Sequence, residues 1–262
     1  MPAPALVLGG WLVMAAVMLG LWLVQRRSRD AGVVDVGWAW GVGALAVAWA
    51  ALAEGLPERR LLVALLAGLW AARLGWHVLS DRVLAGPEDG RYARMREEWG
   101  ESFDRRMLFF FQLQAVLAVV FALPALVAAT VDRPHLGLLD AVGAAVWLTA
   151  IGGEWLADRQ LARHKADPAN RGRTCRRGLW RYSRHPNYFF EWLHWWAYAV
   201  IAVGSPWWWV PVAAALLMLV LILFVTGVPP TERRALESRG DDYRRYQQET
   251  SVFVPWFPKR AA

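Results

Sequence analysis

The chain has 262 residues, of which 57% are hydrophobic and 18 are tryptophan, and its formal net charge is +7. Soluble domains are about 45–50% apolar, and the excess here lies in continuous blocks, which excludes an ordinary soluble domain. The single cysteine, Cys175, excludes an intramolecular disulfide and a cysteine-based zinc site, and the sequence contains neither a dinucleotide-binding glycine fingerprint nor a phosphate-binding loop motif.

Seven runs of mostly apolar residues follow one another along the chain. Each run is roughly 18–25 residues long, which is enough to cross a bilayer as a helix. The runs lie at about 4–24, 32–53, 61–80, 107–131, 136–157, 188–204 and 206–228. The first run lacks a small-residue cleavage site near its end, so we interpret it as a retained helix. The sequence predicts an all-α integral membrane protein with seven transmembrane helices in a single domain spanning residues 1–262.

The basic residues are distributed unevenly between the segments that connect these runs. Segments 26–31, 81–106, 158–187 and 229–262 hold 25 of the 29 lysines and arginines. By the positive-inside rule, this predicts an outside N-terminus, a cytoplasmic C-terminus and cytoplasmic polar loops in a multi-pass inner-membrane protein, with a short amphipathic helix near the C-terminus. The same residues fit attraction to anionic lipid, and nucleic acid is not an expected partner.

Ionisable residues inside the predicted spans are costly and indicate function by default. Asp35 lies in the second span, in "VVDVGWAW", and Arg73 and His77 lie one turn apart on one face of the third. Asp35 is interpreted either as a catalytic acid or as the partner of Arg73 in an interhelical ion pair. His77 is either a polar helix contact or a catalyst. Glu54, in "LAEGLPERR", is a further candidate acid.

The stretch "GLWRYSRHPNYFFEWLHWW", residues 178–196, joins an arginine-rich segment to an aromatic one. Arginine forks bind phosphates, and aromatic side chains pack against planar rings. Glu191 follows Asn187 by four residues at the start of a predicted helix. We expect the first half of the stretch to hold a phosphorylated, aromatic molecule from the cytoplasm, for which both a nucleotide cofactor and a lipid headgroup qualify. The second half would line an apolar cavity.

Several motifs together resemble the bacterial steroid 5α-reductase-like membrane family. They are "VVDVGWAWG", "RLGWHVLSDRVLAGPEDGRYARMREEWG", "GLWRYSRHPNYFFEW" and the tail "ERRALESRGDDYRRYQQETSVFVPWFPKR". The resemblance covers about residues 30–258. "RHPNY" alone is also similar to isoprenylcysteine carboxyl methyltransferases and phospholipid methyltransferases, which use S-adenosylmethionine, whereas "VDVGWAWG" and "DGRYARMR" favour the reductase branch.

The resemblance implies a seven-helix membrane fold with NADPH in a cytoplasm-facing cavity. It implies reduction of the C4–C5 double bond of a 3-oxo-Δ4 steroid or a similar lipophilic enone. It assigns cofactor contacts to Arg91, Tyr92, Asp158, Lys165, Arg173, Tyr182, His185, Asn187, Glu191, Glu232, Tyr243 and Tyr246. The family's glutamine–glutamate dipeptide of the second helix is missing here, so Asp35, His77 and Glu54 are the candidate catalytic residues.

Two alternative functions remain open at the level of sequence. One is an S-adenosylmethionine-dependent membrane methyltransferase, and the other is a non-catalytic membrane protein that binds sterol or lipid. The expected partners are a lipophilic small-molecule substrate and membrane lipid. Neither a protein partner nor a metal site is predicted.

Overall fold

The computed structural model describes residues 3–84 and 88–259. All regular secondary structure in these two ranges is helical, as predicted. Helices satisfy the backbone hydrogen bonds of an apolar segment internally, which is what a bilayer requires. The α-helices in these ranges are α1 (Ala3–Ser28), α2 (Val33–Leu52), α3 (Pro57–Val78), α4 (Gly90–Trp99), α5 (Phe103–Ala129), α6 (Leu138–Ala166), α7 (Pro186–Ile201), α8 (Trp209–Val220), α9 (Val228–Arg239) and α10 (Asp241–Glu249).

Each of the seven predicted apolar runs falls on one of these helices. Among the described residues, five helical stretches are long and apolar enough to cross a membrane: Ala3–Ser28, Val33–Leu52, Pro57–Asp81, Gly90–Ala129 and Trp209–Arg239. The remaining two runs correspond to α6, which carries two carboxylates in its apolar part, and to α7. The 16 residues of α7 extend about 24 Å, less than the roughly 30 Å hydrocarbon core. The count of seven spans stays a prediction.

Two predicted boundaries were wrong. The seventh run was expected to start at 206, but a turn in which the Ser205 hydroxyl accepts a hydrogen bond from the Trp207 N–H delays α8 to Trp209. The single amphipathic helix expected near the C-terminus is two helices, α9 and α10. Gly240 separates them with φ of 51°, a left-handed conformation that favours glycine.

The chain divides into two compact units. The first contains the residues up to Asp140 together with Ile201–Pro211. Within it, α2 packs against α3 and α5, and α1 packs against α5. Gly43 allows the close approach of α2 and α3, because an added Cβ atom would lie 2.1 Å from the Cβ of Ala71. Such small residues at helix contacts are typical of membrane proteins.

A buried ion pair ties the start of α3 to the first turn of α6 in the first unit. Arg59 is fully buried, and its Nε donates to Asp140 Oδ1 at 2.8 Å. Its Nη groups donate to the backbone carbonyls of Val131, Arg133 and His135, and Nη2 also donates to Asp140 Oδ2 at 3.3 Å. The cost of burying the guanidinium is offset because the carboxylate and three carbonyls satisfy it.

The second unit contains Ala141–Val200 and the residues from Val212 onward. Helices α6 and α7 meet closely at Gly153, where an added Cβ atom would lie 2.4 Å from the Phe190 ring. The indole of Trp192 on α7 donates to the carbonyl of Ala215 on α8 at 3.0 Å. The segment between α6 and α7 returns along α6, where Trp180 donates to the carbonyl of Ala157. These contacts fix the start of α7, which carries the RHPNY stretch.

Candidate functional site

The first unit contains a hydrogen-bonded cluster around Asp35. Arg91 Nη2 donates to Asp35 Oδ2 at 2.7 Å, and the Tyr92 hydroxyl donates to Asp35 Oδ1 at 2.8 Å. Asp89 supports the cluster from the N-cap of α4, where its Oδ1 accepts hydrogen bonds from the backbone N–H and Nε of Arg91. The structure therefore brings one predicted catalytic residue together with two predicted cofactor contacts.

The position of Asp35 differs from the expectation. It lies in the first turn of α2, near the start of the second predicted run at 32–53, whereas the interpretation as a catalytic acid needs a position well inside the span. Each of its carboxylate oxygens accepts a hydrogen bond, one from Arg91 and one from Tyr92. This geometry makes Asp35 an acceptor that orients two donor side chains.

The other two catalytic candidates lie elsewhere in the first unit. Glu54 is exposed in the connection between α2 and α3. Because Asp35 is in the first turn of α2 and Glu54 follows the last, roughly 28 Å of helix separates them, and the structure does not bring them together. The imidazole of His77 lies at the end of α3, with Nδ1 3.8 Å from the carboxylate of Asp81 and 40% of its side chain exposed. Catalytic roles for His77 and Glu54 stay predictions.

An apolar groove of about 760 Å³ runs between α1 and α2 in the first unit. Val36 and Gly37, which directly follow Asp35, line it together with Trp40 and residues of α1. Ligand pockets commonly have volumes of about 300–1,000 Å³. The groove can bury a hydrocarbon body, and its lining is almost entirely apolar.

In the second unit, predicted cofactor residues of α6 and α7 meet. Asn187 Nδ2 donates to Asp158 Oδ1 at 3.3 Å, although the two residues are 29 positions apart. Glu191 follows Asn187 by one helical turn on the same face of α7, and its Oε1 lies 3.9 Å from His194 Nδ1. The hydrogen bond between Asn187 and Asp158 shows that these two residues are neighbours. The ligand that they bind stays a prediction.

Exposed cations follow Asp158 along the chain. Lys165 lies in the last turn of α6, and Arg173 follows a turn in which Gly172 has φ of 75°. Both side chains are exposed, and within residues 3–84 and 88–259 neither forms an ion pair. Arg176 differs, because Asp242 and Glu249 neutralise it at 3.0 and 2.9 Å. The structure thus distinguishes basic residues that remain available to an anionic ligand from those used in the fold.

Glu232 of α9 is the centre of a second network in this unit. Its Oε1 accepts from Arg184 Nε at 2.7 Å and from the Tyr243 hydroxyl at 3.3 Å, and it lies 3.2 Å from His185 Nε2. Its Oε2 accepts from Gln247 Nε2 at 2.8 Å. These partners occupy the roughly four acceptor positions of a carboxylate, so Glu232 holds α9 and α10 against the segment that precedes α7.

Burial lowers the pKa of His185 below its usual value of 6.5. The hydrogen bond to Glu232 opposes this change, and the nearby Arg184 reinforces it. Burial also raises the pKa of Tyr243, and the charge of Glu232 raises it further. In this network the neutral imidazole and the neutral phenol are therefore the favoured forms.

Two further predicted residues, Tyr182 and Tyr246, hold the same segment. The Tyr246 hydroxyl donates to the carbonyls of Trp180 and Ser183, and the residue is almost fully buried. The carbonyl of Tyr182 accepts a hydrogen bond from the N–H of Trp256. Cofactor contacts for these two tyrosines, and for His185, Glu232 and Tyr243, stay predictions.

Sequence reasoning did not assign the carboxylate partners of Arg176 and Arg184, and it missed Gln247 and Asp242. Arg184 and Gln247 bind Glu232, and Asp242 accepts hydrogen bonds from the Thr174 backbone and from Arg176. Burial acts to raise the pKa of Asp242, but these partners outweigh it and the pKa lies below its usual value. The opposite charges of "CRRGLWRYSR" and "ESRGDDYRRYQQE" were the available signal.

A family profile described as "Protein of unknown function (DUF1295)" matches residues 21–250. The chain belongs to this family. The family is associated with steroid 5α-reductase-like membrane proteins, in agreement with the resemblance carried by the sequence motifs. All the predicted site residues lie within the matched range. No curated protein and no solved structure matches the chain.

Proposed function

We propose that the protein is an NADPH-dependent membrane reductase. Its proposed reaction is the reduction of the C4–C5 double bond of a 3-oxo-Δ4 steroid or a similar lipophilic enone. The observation that carries the proposal is the hydrogen bond between Asp158 and Asn187, because it joins two distant residues that the resemblance assigns to the same cofactor. The association of the family with steroid 5α-reductase-like proteins supports the same reaction class.

The donor groups around this contact fit a phosphorylated nucleotide. Lys165 and Arg173 are exposed cations available for phosphate groups. Asn187 and Glu191 offer an amide and a carboxylate for hydrogen bonds to amide and hydroxyl groups. A bound NADPH would supply the hydride. The four side chains named above would bind the cofactor and orient it.

The substrate would be activated through its ketone. As negative charge develops on the ketone oxygen, a hydrogen-bond donor there stabilises the transition state more than the ground state. In the first unit, Asp35 acts as a positioning residue that holds Arg91 and Tyr92, the two residues that the resemblance assigns to the cofactor, and His77 is a candidate donor to the ketone. The apolar groove between α1 and α2 fits a lipophilic substrate class.

We propose that α6 and α7 also cross the membrane, which gives seven spans with an outside N-terminus and a cytoplasmic C-terminus. The distribution of basic residues supports this orientation. The ion pair with Arg59 supports the crossing of α6, because it neutralises Asp140. In this topology the protein lies in the inner membrane of the cell. The proposed cofactor site at Asp158 and Asn187 then faces the cytoplasm.

The cofactor can be identified by ligand-dependent thermal stability of the purified protein in detergent. A ligand that binds the folded state at about 100 times its Kd stabilises it by about 2.7 kcal/mol. We expect NADPH to raise the melting temperature. A response to S-adenosylhomocysteine instead would support a methyltransferase, and a response only to sterol or lipid would support a non-catalytic binding protein. Reduction of a 3-oxo-Δ4 steroid in the presence of NADPH tests the reaction directly.

A further inference from the structure

The segment 252–257, between α10 and Lys259, exposes apolar side chains outside the candidate membrane spans. The exposed fractions are 53% for Val254, 69% for Trp256 and 75% for Phe257. The rings of Trp256 and Phe257 lie next to each other, with centroids 6.4 Å apart. A contiguous apolar patch of this kind marks a surface that contacts another apolar phase.

This patch is held in a fixed orientation. The N–H of Arg184 donates to the carbonyl of Ser251 at 2.8 Å, and the N–H of Trp256 donates to the carbonyl of Tyr182 at 2.9 Å. Between them, the Ser183 hydroxyl donates to the carbonyl of Phe253 at 2.7 Å. Because both ends and the middle are bonded to residues 182–184, the outward direction of the exposed side chains is built into the fold.

The buried member of the segment places the patch beside the apolar helices of the same unit. The Phe253 ring centroid lies 5.7 Å from that of Phe189 and 5.6 Å from that of Trp192, both on α7. Trp192 in turn donates to the carbonyl of Ala215, which lies in the candidate span Trp209–Arg239. The exposed aromatic side chains therefore project next to the end of a helix pair that includes a candidate membrane span.

The chemistry of the patch fits the interface of a bilayer. Tryptophan and other aromatic side chains concentrate at the level of the lipid headgroups. Exposed cations flank the segment, since Lys259 follows it and Arg181 precedes Tyr182. Basic residues close to a bilayer surface are attracted to anionic lipids. The combination of apolar side chains and cations favours a lipid surface over a second protein.

We propose that residues 252–257 form an interfacial anchor, in which Val254, Trp256 and Phe257 insert into the headgroup region of an anionic leaflet. The anchor would fix the segment that precedes α7 at the membrane surface. This inference rests on α8 crossing the membrane and is independent of the proposed reaction.

The anchor can be tested by measuring the depth of a spin label in the full-length protein. The chain has one cysteine, Cys175, which is buried, so Cys175→Ala with Val254→Cys gives a single labelling position that leaves Trp256 and Phe257 in place. Arg244→Cys, in the same background, is the matched control on the exposed side of α10. Nanodiscs containing phosphatidylglycerol provide the bilayer. Power-saturation EPR then compares accessibility to oxygen, which enters lipid, and to a water-soluble nickel chelate.

We expect the label at 254 to be several-fold more accessible to oxygen than to the nickel chelate, with the reverse order at 244. Trp256→Ser should make the label at 254 more accessible to the nickel chelate. Nanodiscs of phosphatidylcholine alone should also increase the chelate accessibility at 254, but to a smaller extent. Equal chelate accessibility at 254 and 244 would overturn the proposal, as would a label at 254 shielded from both reagents. If Cys175→Ala does not fold, the same comparison can be made with Cys175 retained, using labelled wild-type protein as the baseline.

Discussion

Arg91 Nη2 and Asp35 Oδ2 lie 2.7 Å apart, although 56 positions separate the two residues in the chain. Asp89 fixes the guanidinium from the other side, and the Tyr92 hydroxyl occupies the second oxygen of Asp35. The side chain of Tyr92 is almost completely buried. The cluster therefore couples the first turn of α2 to the first turn of α4.

Replacing Asp35 by Asn and Tyr92 by Phe should destabilise the protein in a non-additive way. A hydrogen bond to a charged group contributes about 1.5–3 kcal/mol to stability. Asp35 and Tyr92 are joined by one such hydrogen bond, so either replacement removes the same interaction. We expect a coupling of about 0.5–3 kcal/mol in a double-mutant cycle, measured by reversible unfolding in detergent. Asp241→Asn, at a carboxylate that is 85% exposed, should change stability by less than about 0.5 kcal/mol. Strictly additive losses would show that the bond contributes nothing.

The same Asp35→Asn variant distinguishes positioning from proton donation. If Asp35 donates a proton to the substrate, turnover should fall by roughly 10²–10⁴-fold while the melting temperature stays unchanged. If it positions Arg91 and Tyr92, stability should fall together with turnover. Enone reduction and thermal unfolding of one preparation decide between the two results, and we expect the second.

Asn187→Ala and Glu191→Ala should each weaken NADPH binding without unfolding the protein. The loss of a hydrogen bond to a charged or polar ligand group corresponds to about 10–100-fold in Kd. Isothermal titration with NADPH measures this effect. Gln248→Ala removes an exposed amide from α10 and serves as the control with unchanged affinity. Wild-type affinity in both test variants would remove these residues from the cofactor site.

Arg173→Ala and Arg176→Ala should affect different properties, NADPH binding in the first variant and thermal stability in the second. Arg173 forms no ion pair within the described ranges, so its loss should weaken NADPH binding and leave the melting temperature nearly unchanged. If Arg173 contacts the 2′-phosphate, NADH binding should be unaffected. Arg176 is paired with Asp242 and Glu249, so its loss should lower the melting temperature. If Arg173→Ala lowers the melting temperature and Arg176→Ala weakens NADPH binding, the two arginines have been assigned incorrectly.

The stability of the protein should fall as the pH is lowered through about 6.5. The pKa of His185 is lower in the folded state than in the unfolded state. As the pH falls, the unfolded state therefore takes up the proton first. The contribution of the neutral imidazole to the free energy of unfolding is fully present only above the unfolded pKa. The slope for one such group is at most about 1.4 kcal/mol per pH unit. His185→Gln keeps a donor near Glu232 but removes the titration. A melting temperature with the same pH dependence in both proteins would exclude His185 as the source.

Ser28→Cys and Leu56→Cys should label from opposite sides of the membrane. These residues flank α2, which has 20 residues and extends about 30 Å, and Ser28 lies on the basic side. In intact spheroplasts an impermeant maleimide should modify Cys at 56 and not at 28. The buried Cys175 provides a low background in the wild type. Labelling of both positions would contradict the proposed orientation.

The apolar helices could be predicted from the sequence because their physics is local. A run of about 20 apolar residues identifies a helix in a bilayer without information about its neighbours. The helix ends were less predictable, since the Ser205 turn and the left-handed Gly240 depend on single residues.

The pairing of charged side chains could not be predicted, because it depends on contacts between distant positions. By sequence alone, Arg173, Arg176 and Arg184 belong to one arginine-rich segment with the same expected anion-binding character. In the folded chain, Arg176 and Arg184 are neutralised by carboxylates from α9 and α10, more than 45 positions away. Only the resemblance connected Asp158 with Asn187, and their hydrogen bond was found in the structure.

The bonds between residues 182–184 and 247–256 have a consequence for biosynthesis. Arg184 donates to the carbonyls of Gln247 and Thr250, and Ser183 donates to the carbonyl of Phe253. During translation the segment before α7 therefore remains without these partners until more than 60 further residues have been added. Helices α7 and α8 are synthesised before this segment gains its C-terminal partners, and the surroundings of Asn187 are completed late in synthesis.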